Sequence, residues 1–202
     1  AHINECSCQP QPKLRLILEA SAAPKLPRLL GSASRWPGGV STPFATNCLL
    51  MAAGTAKKDV PICRWALWEE RQHADWCSYA ALLQGIEHLD IGFFRVAPLE
   101  AEAMDPQQRV LLEIGYKALH NGGCQSVSLM NSNTAVLVAI DHLDWQTLQQ
   151  RRRLTQHAPW CKVNAYTGPG EHANIACGRL SFVLGVQGPS ITFNTACSSS
   201  LV

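Results

Sequence analysis

The residues with most to offer chemically lie near the end of the sequence. Residues 190–195 (SITFNT) are rich in β-branched and aromatic side chains, and 196–202 (ACSSSLV) turn abruptly to small ones. This pattern predicts a strand running into a tight turn, with Cys197 at the bend and a helix after it. A thiol so placed is accessible. The positive end of a following helix would favour thiolate, the nucleophilic form. Ala196, Ser198, Ser199 and Ser200 leave the approach open. Backbone N–H groups at such a bend are suited to facing a developing oxyanion. On residue types alone, Cys197 reads equally as a nucleophile or as one more buried thiol.

Other sets of reactive side chains carry less. Cys63, His73, Cys77 and His88 are metal-binding types, but their spacing matches no zinc site. Gly168-Pro169-Gly170-Glu171-His172-Ala173 has the outline of a dinucleotide loop. No convincing strand precedes it and no acidic residue follows Glu171 to hold a ribose, so it reads as a loop at a helix start. His172 is read as a solvated loop histidine, with a place in a pocket wall as the alternative. Arg151-Arg152-Arg153 reads as a solvated face.

Several elements must position the bend. Asp105-Pro106 is a helix start, an N-cap acceptor followed by the residue best suited to the first helical position. Leu111, Leu112, Ile114, Tyr116, Ala118 and Leu119 recur at helical spacing, Arg109, Glu113 and Lys117 form an i, i+4 ladder on the presumed outer face, and Asn121-Gly122-Gly123 ends the helix. Residues 134–140 (TAVLVAI) predict a strand buried on both faces. Residues 173–184 predict a second helix, ended by Gly185 and Gly188-Pro189. Helix and buried strand in alternation predict a layered α/β arrangement. Residues 1–27 are expected to be weakly organised, and half of the twelve prolines fall before residue 44.

Composition bounds the class. The 202 residues are 47% hydrophobic and 16% charged, which excludes a disordered chain and suffices for a core. No apolar run approaches a membrane span, and a net charge of +2 gives no reason to expect nucleic acid or an anionic membrane. The nine cysteines are odd in number and irregularly spaced, which predicts free thiols in a reducing compartment: the cytoplasm, with a plastid as the alternative. Ala1 at one end and the apolar Leu201-Val202 at the other predict a piece of a longer protein.

The segment GPSITFNTACSSSLV, 188–202, closely resembles the active-site segment of β-ketoacyl synthases, and within them the ketosynthase domains of type I polyketide synthases. IGFFRVAPLEAEAMDPQQRVLLEIGYKAL (91–119) is similar to the family's long signature, with its D-P-Q-Q-R core at 105–109. GSASRWPGG (31–39), VPICRW (60–65) and YTGPGEHANIACGRLSFVLGVQGPS (166–190) follow the family pattern in order. The sequence departs from it at Asn194, where Asp is usual, and at Ser34, where a thiol is usual. The resemblance implies a thiolase-like layered α/β/α/β/α sandwich, of which 28–202 would be the N-terminal half. It implies that Cys197 is the acyl-carrying nucleophile of a decarboxylative Claisen condensation. The substrates would be acyl and malonyl-type thioesters delivered on the phosphopantetheine of an acyl carrier protein, with no cofactor or metal bound directly. It also implies a homodimer when complete, and two catalytic histidines in later segments, one in an H-G-T and one in an N-x-G-H context. The 202 residues alone are therefore expected to be inactive. The alternatives are a fatty-acid ketosynthase of the same superfamily and a non-catalytic acyl-binding or dimer scaffold.

Overall fold

The computed structural model describes residues 28–61, 79–141, 144–155 and 163–201. Residues 1–27, expected to be weakly organised, and Cys63, His73 and Cys77 lie outside them. In chain order the elements are α1 (Pro43–Met51), β1 (Lys58–Asp59), β2 (Tyr79–Ala80), α2 (Ile91–Phe94), α3 (Pro98–Ala103), α4 (Pro106–Asn121), α5 (Ser126–Leu129), β3 (Val136–Ala139), α6 (Asp144–Thr155), α7 (Thr167–Glu171), α8 (Asn174–Leu184) and β4 (Ser190–Phe193). A 3-10 turn, Ala196–Leu201, follows.

α4 forms as its sequence dictates. The Asp105 side chain accepts from Gln107 N–H at 2.7 Å, Pro106 opens the helix, and Gly122 caps its end. Such a cap contributes about 1 kcal/mol. α8 ends at Gly185, whose φ of 68° is left-handed backbone that a side chain would strain.

β3 and β4 pair in parallel, Val136 opposite Ser190 and Ala139 opposite Phe193. A parallel pair needs a crossover, and α6, α7 and α8 supply it. α8 covers one face of this pair: Ala176 and Cys177 pack with Val136, Val138, Ile140 and Val186. A second cluster joins Phe94, Val96, Met104 and Leu112, and Leu180 of α8 packs against both. Helices on a parallel strand pair are the α/β layering expected from the sequence.

Two expectations need correction. β3 is not buried on both faces. Val136 and Val138 are covered by α8, whereas Leu137, on the opposite face, is 58% exposed. The apolar run is real, but only one helix layer lies on it among the described residues. Nor does α4 carry a charged i, i+4 ladder. Arg109 folds back to Met104 and Glu87, and Glu113 pairs with Arg35 at 3.0 Å. At Arg109 and Glu113 the face assumed to be solvated is met by the segments around residues 87 and 35, and these two charges take partners there, while Lys117 is exposed as expected.

Candidate active site

β4 ends at Phe193, and the chain then bends sharply. Ala196 has φ 51°, left-handed backbone that costs a residue with a Cβ about 1–2 kcal/mol. Short hydrogen bonds hold the bend. Thr195 N–H donates to Ser199 Oγ at 2.8 Å, and Ser199 Oγ donates to the Ala196 carbonyl at 2.9 Å. Ser198 Oγ donates to the Thr195 carbonyl at 2.8 Å. Two such local bonds, each worth about 1 kcal/mol net, are enough to offset the backbone cost. Ser198 and Ser199 thus brace the turn.

Cys197 follows the left-handed residue and is exposed. A 3-10 turn stands where the sequence predicted a helix. The first backbone bond of the turn runs from Ser198 N–H to the Thr195 carbonyl at 3.3 Å, so the Cys197 N–H lies ahead of the bonded ladder. An accessible sulfur and such an N–H can perform thiol attack on a carbonyl and hold the resulting oxyanion. The other described cysteines differ: Cys177 is buried and donates to the Asn174 carbonyl, Cys124 is half-buried, and Cys48 is exposed on α1.

A cavity of about 270 Å³ is lined by Ile140, His172, Ala173, Asn174, Thr192 and Asn194. It opens at the carboxyl ends of β3 and β4, where ligands of parallel sheets generally bind. Asn194 Nδ2 donates to the Asp141 carbonyl at 3.2 Å and ties the two strand ends together. An ionised Asp at this position has no proton to donate, so this tie depends on the departure from the usual residue. Thr192 Oγ1 donates to the Ala173 carbonyl at 3.3 Å. His172 is exposed and lines the cavity, so both sequence readings of it hold.

The far wall is held from α4. Gln108 is 2% exposed, and its Nε2 lies 3.2 Å from the Pro169 carbonyl, 3.4 Å from that of Gly170 and 3.2 Å from that of His172. Its Oε1 accepts from Arg179 Nε at 3.0 Å, and Arg179 pairs with Glu100 of α3. Asp105 N–H donates to the Gly170 carbonyl at 2.9 Å. Gly170 admits this approach because a Cβ there would stand 2.2 Å from the Ala103 carbonyl oxygen. Gly170 therefore serves close packing, whereas a Cβ at Gly168 would meet open space. Arg109 donates to the Met104 carbonyl at 2.7 Å and lies 5.8 Å from the Trp145 ring centre. Burial, with a smaller contribution from Asp144, pushes the Asp105 carboxyl above its ordinary range; the Gln107 N–H and Arg109 oppose this. Burial lowers the Arg109 guanidinium, against the pull of Asp105 and Glu87.

Sequence reasoning located Cys197 but missed Gln108, Arg179, Glu100 and Thr192. A signal existed for two of them. Gln108 stands four residues before the buried Leu112, and Arg179 stands beside Leu180 among apolar neighbours, so each is a polar residue on an apolar stripe. Among the described residues no cluster of three metal-binding side chains occurs, and no helix is long and apolar enough to cross a membrane.

Residues 29–202 match the family model described as the N-terminal domain of beta-ketoacyl synthase. The chain is 35% identical over 180 residues to the PKS-NRPS hybrid synthetase acdB of Aspergillus candidus, covering 86% of this chain and 7% of that protein. It is 35% identical over 183 residues to the 6-methylsalicylic acid synthase of Penicillium terrestre, covering 86% of this chain and 10% of that one. Among solved structures it resembles the ketosynthase from module 6 of the bacillaene synthase of Bacillus subtilis 168. That match has a TM-score of 0.69 at 29% identity and covers 86% of this chain and 27% of the other. The chain thus spans about a tenth or less of the curated relatives and about a quarter of the ketosynthase structure. Its fold is the N-terminal half of the thiolase-like sandwich.

Proposed function

The chain belongs to the β-ketoacyl synthase family, and from that membership we propose that it carries the acyl-loading half of a polyketide-forming condensing enzyme, with Cys197 as the nucleophile. The observation that carries this is the placement of Cys197. It is an exposed thiol directly after a left-handed residue, at the bend that follows β4, the strand whose end supplies Thr192 and Asn194 to the cavity lining.

The Cys197 thiolate attacks the carbonyl of an acyl thioester on the phosphopantetheine of an acyl carrier protein. A C–S bond to Cys197 forms, the bond to the carrier sulfur breaks, and the carrier thiolate takes up a proton. The Cys197 N–H stabilises the oxyanion of the tetrahedral intermediate. A thiol suits the step because it is nucleophilic near neutral pH and leaves an activated thioester. A malonyl-type thioester then loses CO2, and the resulting enolate attacks the acyl carbon. The new C–C bond forms as the C–S bond breaks, and Cys197 leaves as thiolate. The enolate oxygen needs neutral donors, which the resemblance assigns to two histidines in segments beyond residue 202. In this reading phosphopantetheine is part of the substrate, the partners are the carrier protein and a second copy of the domain, and the reaction takes place in the cytoplasm. The four described cysteines, all free thiols, support a reducing compartment.

The test is acyl loading of the full-length polypeptide that contains this chain. Incubated with hexanoyl-N-acetylcysteamine thioester and digested, it carries the hexanoyl group on the Cys197 peptide, and Cys197→Ala carries none. Label on another residue, or equal label on Cys197→Ala, refutes the assignment.

A further inference from the structure

We propose that Gln108 is a positioning residue for acyl loading, setting from the interior of α4 the wall of the cavity at the carboxyl ends of β3 and β4, the strand end that leads into the nucleophile. This rests on the reading of Cys197 as the acyl carrier.

Gln108 has one amide group and uses both ends of it. Its Nε2 faces the carbonyls of Pro169, Gly170 and His172, and its Oε1 is held by Arg179. A primary amide has two protons, so three carbonyls around it leave no donor capacity unused. Arg179 is 9% exposed and is fixed in turn by Glu100, so the amide cannot flip end for end without setting its Nε2 against the guanidinium and its oxygen against three carbonyls. The segment thus held leads directly into His172, Ala173 and Asn174, which line the cavity. Thr192 grips the same segment from the other side through the Ala173 carbonyl. Thr192 and Asn194 form the opposite wall, and Cys197 follows them on the same strand and bend. An acyl thioester attacked by Cys197 must lie across these strand ends. The separation between the two walls, set by Gln108 and Thr192, decides how well it rests there. The hydrogen bonds of Gln108 and Thr192 go to Pro169, Gly170, His172, Arg179 and Ala173, so their effect falls on substrate acceptance and leaves the sulfur itself alone.

The test uses Gln108→Glu, which keeps the shape and the acceptor for Arg179 but turns a carboxylate oxygen toward three carbonyls. In the full-length polypeptide, KM and kcat for loading hexanoyl-N-acetylcysteamine thioester onto Cys197 are measured beside the rate of Cys197 alkylation by iodoacetamide. Gln108→Glu is expected to raise KM about tenfold while kcat and the alkylation rate change less than about twofold. Thr192→Val, at a half-exposed position where the fold is not at stake, is expected to raise KM about threefold, and Thr192→Ser, which keeps the hydroxyl, to restore it. If Gln108→Glu does not fold, the Thr192 pair decides alone. Unchanged KM in the variants overturns the proposal. So does a KM that rises only together with faster alkylation and a lowered melting temperature, which marks a structural role alone. If the wild-type protein takes up no acyl group, the reading of Cys197 fails first and the proposal falls with it.

Discussion

The bend around Cys197 and the polar cluster under α8 are both built from hydrogen bonds to backbone carbonyls, yet they are built in opposite ways. At the bend the bonds are local. Ser198 and Ser199 reach back three or four residues, and most of the atoms involved are exposed. Under α8 the bonds join distant parts of the chain: Gln108 reaches residues 61 to 64 positions away, and Arg179 reaches Glu100 across 79. Water competes freely for the first set and has far less access to the second, whose bonds are buried or part-buried, so the second set is costlier to break. The contrast separates two tasks. A buried clamp joins α3, α4, α7 and α8 into one platform, and a short exposed brace shapes the reactive turn on top of it.

Breaking the clamp should therefore cost stability and spare the thiol. Arg179→Met leaves Glu100 and the Gln108 carbonyl oxygen without their partner, and removal of one member of such a pair costs about 3 kcal/mol. Denaturant unfolding of the full-length polypeptide is expected to show this loss, with the alkylation rate of Cys197 within about twofold of wild type under native conditions. A rate that changes in step with stability would mean that the two regions are one unit.

Breaking the brace should do the reverse. Ser199→Ala removes the bridge between Thr195 N–H and the Ala196 carbonyl, frees Ala196 to leave the left-handed region and draws the thiol inward. The ratio of alkylation at Cys197 to that at the exposed Cys48 is expected to fall about threefold, with unfolding changed by less than about 1 kcal/mol. Cys48 serves as the internal standard because it is exposed on α1, away from the bend.

The smallest effect sharpens the comparison at the edge of the clamp. The Asp105 carboxyl is raised by burial, so the folded state holds its proton more tightly than the unfolded state. Stability then falls as pH rises from the ordinary carboxylate range through the raised folded value, and is flat above it. Asp105→Asn keeps an oxygen for the Gln107 N–H and has no charge to bury. Its melting temperature should lack that slope and at neutral pH equal or slightly exceed the wild-type value. A wild-type slope of the opposite sign would show that the Gln107 and Arg109 interactions outweigh burial.

The elements carried by one-dimensional signals were legible in the sequence. Asp105-Pro106 and Asn121-Gly122 bound α4 where the structure does, and 190–195 does hold a strand running into a bend at Cys197. What escaped depends on which face is covered. The run 134–140 is apolar throughout, but nothing within it tells that Leu137 faces outward. The spacing of Arg109 and Glu113 fits an exposed ladder, and only the arrival of Arg35 and the Met104 and Glu87 carbonyls redirects them. The clamp was hidden for the same reason: its partners are distant in sequence, and each looks ordinary alone.

The parallel pairing of β3 with β4 has a consequence for how the protein is made. Synthesis is vectorial, and Val136–Ala139 leaves the ribosome before Ser190–Phe193 and before the α8 residues that cover it. Until those residues emerge, an apolar strand has both edges and both faces uncovered, which is the condition under which nascent chains associate wrongly. Arg179 reaches Gln108 in the same stretch of translation, so the clamp closes as the strand is sheltered. A slow codon stretch or a holdase acting between those two points would protect this chain more than one acting anywhere earlier in it.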